Sequence, residues 1–447
     1  MNRICKEVMK KTFLFAVLPF MAVLFAAILY LFLHMKPHDQ LPEAEKSEKK
    51  LAFSWMGDNV FGADVQEGLT SYEKRHPGIS FSLSYGSDNG YWDRLYMAAA
   101  NHELPDLMVL DYGHIGVFAE KKLLFPIDSY IESGRISVEG IAPMLLACGQ
   151  FGGRQVGIPI GIKAPALLYN EAITTQAGIT LRDGMTLSEF ALDCRRVYNQ
   201  TRYKTLLPEE QSLNLLSYIL RGEGKSVFGE NGPGYEDPMD TLPFFELYET
   251  ASREGWAFDR NAFGQTESDS IAESPLTSGN GPSNMSWCGF YHSNDLVTGQ
   301  KGAKTGVELA ITTWPSDHFD RSIFYVPSGF YTIAAYTDWG QECANVINAF
   351  SHEQIHLDKI MGGMGLAADK SYRRWQKGSV DPVRTKEMEY LENIVLPKAG
   401  EIPKPYRAEH ERLNALLIRL ENEILVGSIT ASEAAERFYQ EAWERSK

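Results

Sequence analysis

Cysteine is scarce in this chain of 447 residues: Cys5, Cys148, Cys194, Cys288 and Cys343 are all there is, with no CxxC pair and no zinc-ligand spacing. A fold held by disulfides is excluded at that density, leaving either one bridge among the last four or buried free thiols. Basic residues are short as well, 43 Lys and Arg against 58 Asp and Glu for a formal charge of -15. Residues 1–50 hold eight of the basic and five of the acidic ones, so the remainder carries 35 against 53. A surface of that sign repels nucleic acid and anionic lipid, which removes both from the expected partners. The sequence has no GxSxG elbow, phosphate-binding glycine loop, dinucleotide fingerprint or internal repeat, so no cofactor is expected.

What the chain does have begins with an uncharged run, TFLFAVLPFMAVLFAAILYLFL, over residues 12–33. As a helix it is long enough to cross a bilayer core, and Pro19 kinks such a helix without forbidding it. Arg3, Lys6, Lys10 and Lys11 precede it and only Lys36 follows closely, so the expected topology leaves the amino end in the cytoplasm and the rest outside. A cleaved signal peptide is the alternative, and both readings export the working part. Residues 34–50 are charged and aperiodic, a solvated tether.

At this length one core is not expected to suffice, and 44% apolar composition supplies two. From residue 51, LAFSWMG, DVQEGLTSYEKRH, ISFSLSYG, YWDRLYMAAANHE and LPDLMVLD alternate strand, helix, strand, helix, strand. That order predicts an α/β fold with a parallel sheet covered on both faces. TLSEFALDCRRVYN, SLNLLSYILRG and TLPFFELYETASREG then have helical period. Strand patterns return at SNMSWCGFYH, GVELAITTWP and SGFYTIAAYT before a helical close, where Thr430 to Glu433 form a capping box. A sheet pattern that stops and resumes predicts two lobes with a cleft, the first built from 51–160 and 296–345, the second from 161–295 and 346–447.

The segment GGRQVGIPIGIKAPALLYN, residues 152–170, is extended and apolar yet carries Lys163 and ends on Tyr169 and Asn170. A crossing between lobes has that character, buried for most of its length and polar where it meets the cleft. Aromatic side chains beside polar ones suit a saccharide, whose flat C–H faces are ringed by hydroxyls. Trp55, Tyr85 and Tyr112 lie at expected strand ends with Asp58, Asp88 and Asp111 nearby, while Trp287, Phe330 and Tyr331 accompany the returning strands. Trp92 sits inside a helix and is expected in the core.

On GGRQVGIPIGIKAPALLYNEAITTQAGI the chain resembles the family 1 extracellular solute-binding proteins, the sugar-capturing components of ABC importers. PGISFSLSYGSDNGYWDRLYMAAANHELPDLMVLDYGHIGVFAEKKLLFPIDSYI, SNMSWCGFYHSNDL, YVPSGFYTIAAYT and VGSITASEAAERF agree in the same order. The resemblance implies a two-lobed periplasmic-binding-protein fold of type II and a solute held at the interface, with Asp111, Tyr112, Trp287 and Phe330 as favoured contacts. It also implies ABC permease subunits as partners, no chemistry on the ligand, and a monomer. Two departures stand out: no lipobox cysteine follows the apolar run, and Lys163 stands where a neutral residue is expected, which admits an acidic sugar. A receptor for a sensor kinase is the alternative within binding.

Two enzymatic readings compete. HEQIH, residues 352–356, satisfies HExxH. Its helix, however, would carry Val346, Phe350, Leu357 and Met361 on the apolar stripe and turn His352 and His356 to water. Lys359 stands where the metzincin extension requires Gly, and Trp375 where aminopeptidase-like zincins carry a third-ligand glutamate. A glycoside hydrolase would need two carboxylates across a cleft, for which Asp58, Asp88 and Asp111 are candidates. With 58 acidic residues, some are expected at strand ends by chance. No metal ligand or catalytic residue is therefore assigned.

Overall fold

The computed structural model describes residues 49–57, 59–86, 89–208, 211–229, 232–259, 270–354, 356, 359, 361, 363–376, 381–405 and 409–443. The apolar run at 12–33, Cys5, Asp58 and Asp88 lie outside them. Among the described residues no helix is long and apolar enough to cross a membrane.

The opening alternation folds as β1 (Lys49–Met56), α1 (Asn59–Arg75), β2 (Ile79–Gly86), α2 (Asn89–Ala100) and β3 (Leu107–Leu110). β1 therefore takes in the last two residues of the expected tether. β1 and β3 pair in parallel, Phe53 opposite Leu107 and Trp55 opposite Val109. All four side chains of β3 are buried, as expected for a strand covered on both faces.

β4 (Ile158–Lys163) and β5 (Pro165–Asn170) follow without a turn between them, then α3 (Leu187–Thr201), β6 (Lys204–Leu206), α4 (Ser212–Gly222), α5 (Leu242–Glu254), β7 (Ser286–His292) and β8 (Leu309–Thr312). The chain ends through β9 (Val326–Ile333), α6 (Gly340–His352), β10 (Leu366–Ala367), α7 (Pro382–Glu389), α8 (His410–Leu425) and α9 (Ala431–Trp443). Thr186 caps α3 through a reciprocal box with Glu189, and Thr430 with Glu433 does the same at α9, each pair satisfying two orphan amide donors.

The first lobe's sheet has the order β10-β4-β9-β3-β1-β2, and the second lobe's the order β8-β5-β7-β6. β9 enters between β3 and β4 antiparallel to both, so the first sheet is mixed where the sequence suggested a parallel one. Two expected boundaries also move. β8 pairs with β5, and the helix Asp295–Gly302 packs on β7 and β8, so residues 296–312 belong to the second lobe. α6 packs on β9 and β10 pairs with β4, so both α6 and β10 belong to the first. A strand pattern such as GVELAITTWP carries no mark of the sheet it will join; the ladder decides. The chain thus crosses at Ala164, again within 313–325, and a third time after β10.

Candidate functional site

Ala164 is the whole of the first crossing, one fully buried residue between a strand of each lobe. Its carbonyl accepts from the Ser293 amide at 2.8 Å, and its own amide donates to Ser293 Oγ at 3.2 Å. Ser293 directly follows β7, so the end of that strand is tied to the crossing. Pairing of His292 with Pro165 brings His292 to the same place.

Lys163 closes β4, opposite Val326 on β9. Side chains alternate along a strand, so Ile158, Ile160 and Ile162 take the apolar face and Lys163 the other. It is part-buried and acts electrostatically on Asp111 of the first lobe and His292 of the second. Burial, reinforced by Lys163, holds the His292 imidazole well below its ordinary pKa, so the ring is neutral at physiological pH.

Asp111 follows β3 at the strand end, where open α/β sheets collect ligand-facing groups. Its Oδ1 accepts from the His114 amide at 2.8 Å and from His114 Nδ1 at 2.7 Å. Burial pushes the carboxyl up, but His114, through its charge and both bonds, together with Lys163 holds it below the ordinary value. The His114 ring lies on Trp92, centroids 3.5 Å apart and planes 9° apart. Beside it the Tyr112 hydroxyl donates to Pro403 O at 2.6 Å, and the Tyr112 ring rests near Phe330. His410, the first residue of α8, feels both Asp111 and His114 and is lowered to about 4, chiefly by burial. Lys163 and His410 thus lie within electrostatic reach of the Asp111–His114 pair, and His292 within reach of Lys163.

The other expected residues divide. Trp55 is fully buried and stacks on Tyr85, centroids 4.9 Å apart, with Tyr85 37% exposed and the Trp55 indole N–H without a hydrogen-bond partner. Tyr169 pairs with Cys288 and Ala310 inside the second sheet, and Asn170 is spent on capping the helix Glu171–Gln176 by accepting from the Ala172 amide. Trp287 is wholly buried and donates to Thr205 Oγ1 at 2.9 Å. Phe330 and Tyr331 are buried on the two faces of β9. In this structure, of the residues expected to meet a ligand, Asn170 caps a helix while Trp287, Phe330 and Tyr331 are buried. His114, His292 and His410 were not anticipated, whereas Trp92 is buried in the core as expected. The signal available was His114 three residues after the strand-end Asp111, the spacing of a local Asp–His bond.

The HExxH motif does not form its expected face. α6 ends at His352, and Glu353 is extended, so the 100° step that would carry both imidazoles to solvent is broken between them. His352 contacts Asp369 and Ser137 O, whereas His356 is fully buried, stacked on Phe350 and bonded to Gly68 O and Arg75. The cysteines 148, 194, 288 and 343 are free thiols. Cavities of about 600 and 440 Å³ lie elsewhere on the surface, the larger by Asp183, Asp317 and Lys398, the smaller by Gln300, Glu308 and Lys386.

Residues 58–315 match the family described as bacterial extracellular solute-binding protein. A maltooligosaccharide ABC transporter solute-binding lipoprotein of Streptococcus pneumoniae is 24% identical over 217 residues, 48% of this chain and 49% of its own. The chain spans about half the length of the curated relatives it matches. The structure resembles a periplasmic oligogalacturonide-binding protein of Yersinia enterocolitica, solved with saturated digalacturonic acid, at a TM-score of 0.75 and 19% identity over 89% of this chain and 99% of that one. The GacH receptor of Streptomyces glaucescens, solved unliganded and with acarbose, superposes at a TM-score of 0.70 and 16% identity over 90% and 100%.

Proposed function

The chain belongs to the bacterial extracellular solute-binding proteins, and from that premise we propose that it captures a sugar or oligosaccharide between its lobes and delivers it to an ABC permease. The observation that carries the reading is the placement of Lys163 and His292, one from each lobe, on either side of the Ala164–Ser293 crossing, with Asp111 within electrostatic reach of Lys163. A part-buried ammonium such as that of Lys163 costs desolvation unless a polar guest satisfies it. The Trp55–Tyr85 stack at the ends of β1 and β2 offers a ring face on the first lobe, and the maltooligosaccharide, oligogalacturonide and acarbose of the relatives have the chemistry such a face and such donors suit. Contacts assigned in this reading are Tyr85, backed by Trp55, with Asp111, Tyr112 and Lys163. Binding makes and breaks no bond.

Residues 12–33 would hold the protein on the outer face of the membrane, and the lobes would act as a monomer. Ligand contacts offset the cost of drawing the lobes together, so binding shifts the population toward closure. The test is calorimetry with maltotriose, digalacturonate and an amino sugar, combined with small-angle scattering of the same samples. Saturable binding with a smaller radius of gyration supports the reading; no binding by any of the three, with unchanged scattering, overturns it.

A further inference from the structure

Lys163 stands apart among the charged residues at the crossing. It is part-buried and makes no hydrogen bond or ion pair with a described residue. The carboxylate it senses, Asp111, spends Oδ1 on two bonds from His114. His292, on the other lobe, is within electrostatic reach of Lys163, and its ring makes no hydrogen bond with a described residue. One ammonium and one imidazole therefore stand close together across the boundary, fixed there by the Ala164–Ser293 pair of hydrogen bonds. Withdrawing an ammonium from water without a counterion is costly, and a carboxylate supplied by a ligand removes that cost through a charge-assisted bond.

The geometry points to an acidic saccharide as the ligand of this site, with a uronic acid carboxylate seated between Lys163 and His292. The inference rests on the saccharide-binding reading above and deepens it. Ammonium on one side of the carboxylate and imidazole on the other gives it a point charge and a directional donor. Asp111 is the counterweight. Its charge disfavours an anion, but His114 already engages it through two bonds to Oδ1. Glu411, on α8 beside His410, acts on Tyr96 and adds to the negative side of the balance. The net charge of -15 gives an anionic ligand no long-range help, so the preference has to come from these short-range partners, inside a Debye length of about 8 Å.

The test compares digalacturonate with its dimethyl ester, which has the same ring shape without the charges, together with neutral maltotriose, by calorimetry at pH 7 on the full chain. The acid is expected to bind roughly tenfold or more tightly than the ester. Lys163→Gln brings that ratio toward one, and Lys163→Arg keeps it above one; melting curves confirm that both variants fold. Should the ester or maltotriose bind as well as the acid, the acidic specificity is wrong while saccharide binding stands. A ratio that survives Lys163→Gln in a folded variant removes Lys163 as its source and overturns the proposal. If none of the three sugars binds, the saccharide reading itself fails and takes this inference with it.

Discussion

The Tyr112 hydroxyl donates to the carbonyl oxygen of Pro403 at 2.6 Å, linking the end of a first-lobe strand to the segment that leads into α8 of the second. Tyr112 lies beside Asp111, so a contact that holds the lobes together adjoins the group placed to meet the ligand. Removing only the hydroxyl, by Tyr112→Phe, keeps the ring against Phe330 and deletes the bond. Its net worth is about 0.5–1.5 kcal/mol. The variant is expected to scatter as a more open particle without ligand and to keep its melting temperature within a few degrees. An unaltered profile would mean that the bond does not hold the lobes.

Trp287 and Tyr85 make a matched pair of tests, since both are aromatic and both were expected at the cleft. Trp287→Ala empties a fully buried site and strands Thr205, so unfolding free energy should fall by about 3–5 kcal/mol. Tyr85 is 37% exposed, its ring stacked on Trp55. Tyr85→Ala should leave denaturant stability within about 1 kcal/mol and weaken saccharide affinity by about 1–2 kcal/mol. Equal stability losses in the two variants would place both rings in the core.

That contrast marks how far the sequence could be read. Period-two and period-3.6 patterns are local, so β1 to β3, the helices between them and the Thr430 capping box were legible. Sheet membership is not local: β8 and β10 join different lobes because of partners about 140 and 200 residues earlier, Asn170 for Leu309 and Ile162 for Leu366. Lys163 was found because a charge in an apolar strand is conspicuous. The burial of Trp287 was not legible because an indole serves a core and a sugar equally well, and its bond to Thr205 is a contact across 82 residues. His356 failed for a third reason, the helix ending at His352, which HEQIH does not announce.

Glu387 gives a pH dependence with a definite sign. It is fully buried on α7 and accepts from Arg384 Nη1 at 2.9 Å, and Arg384 also donates to the carbonyls of Gly365 and Met361 by the third crossing. Burial raises its carboxyl from 4.5 to about 7 in spite of Arg384, with Asp295 and Asp381 adding to the rise. The folded protein therefore binds a proton that the unfolded chain has lost above 4.5. This contribution to stability is complete below about pH 4.5 and disappears as the pH rises through about 7, on the order of 3 kcal/mol in all. Glu387→Gln cannot titrate and should remove that part of the slope of melting temperature against pH across the window. The slope is the diagnostic quantity, because loss of the Arg384 partner lowers stability at every pH.

Gly365 tests whether the third crossing is built on backbone contact. Its φ of +70° lies in the left-handed region, and a Cβ there would stand 2.1 Å from the carbonyl oxygen of Ile162 on β4, with Glu387 Oε1 at 3.5 Å. The obstructing atom is main chain in the paired strand, so it can yield only by parting β10 from β4, where Leu366 faces Ile162. Gly134 provides the control, with a φ of +72° and nothing within 4 Å of its Cβ. Gly134→Ala should cost only the left-handed strain, about 1 kcal/mol, whereas Gly365→Ala should cost about 2 kcal/mol or more beyond that. Because the backbone strain is common to both, the difference in unfolding free energy isolates the close approach. Equal losses would show that β10 shifts freely against β4, and that the third crossing is a loose connection instead of a fitted one.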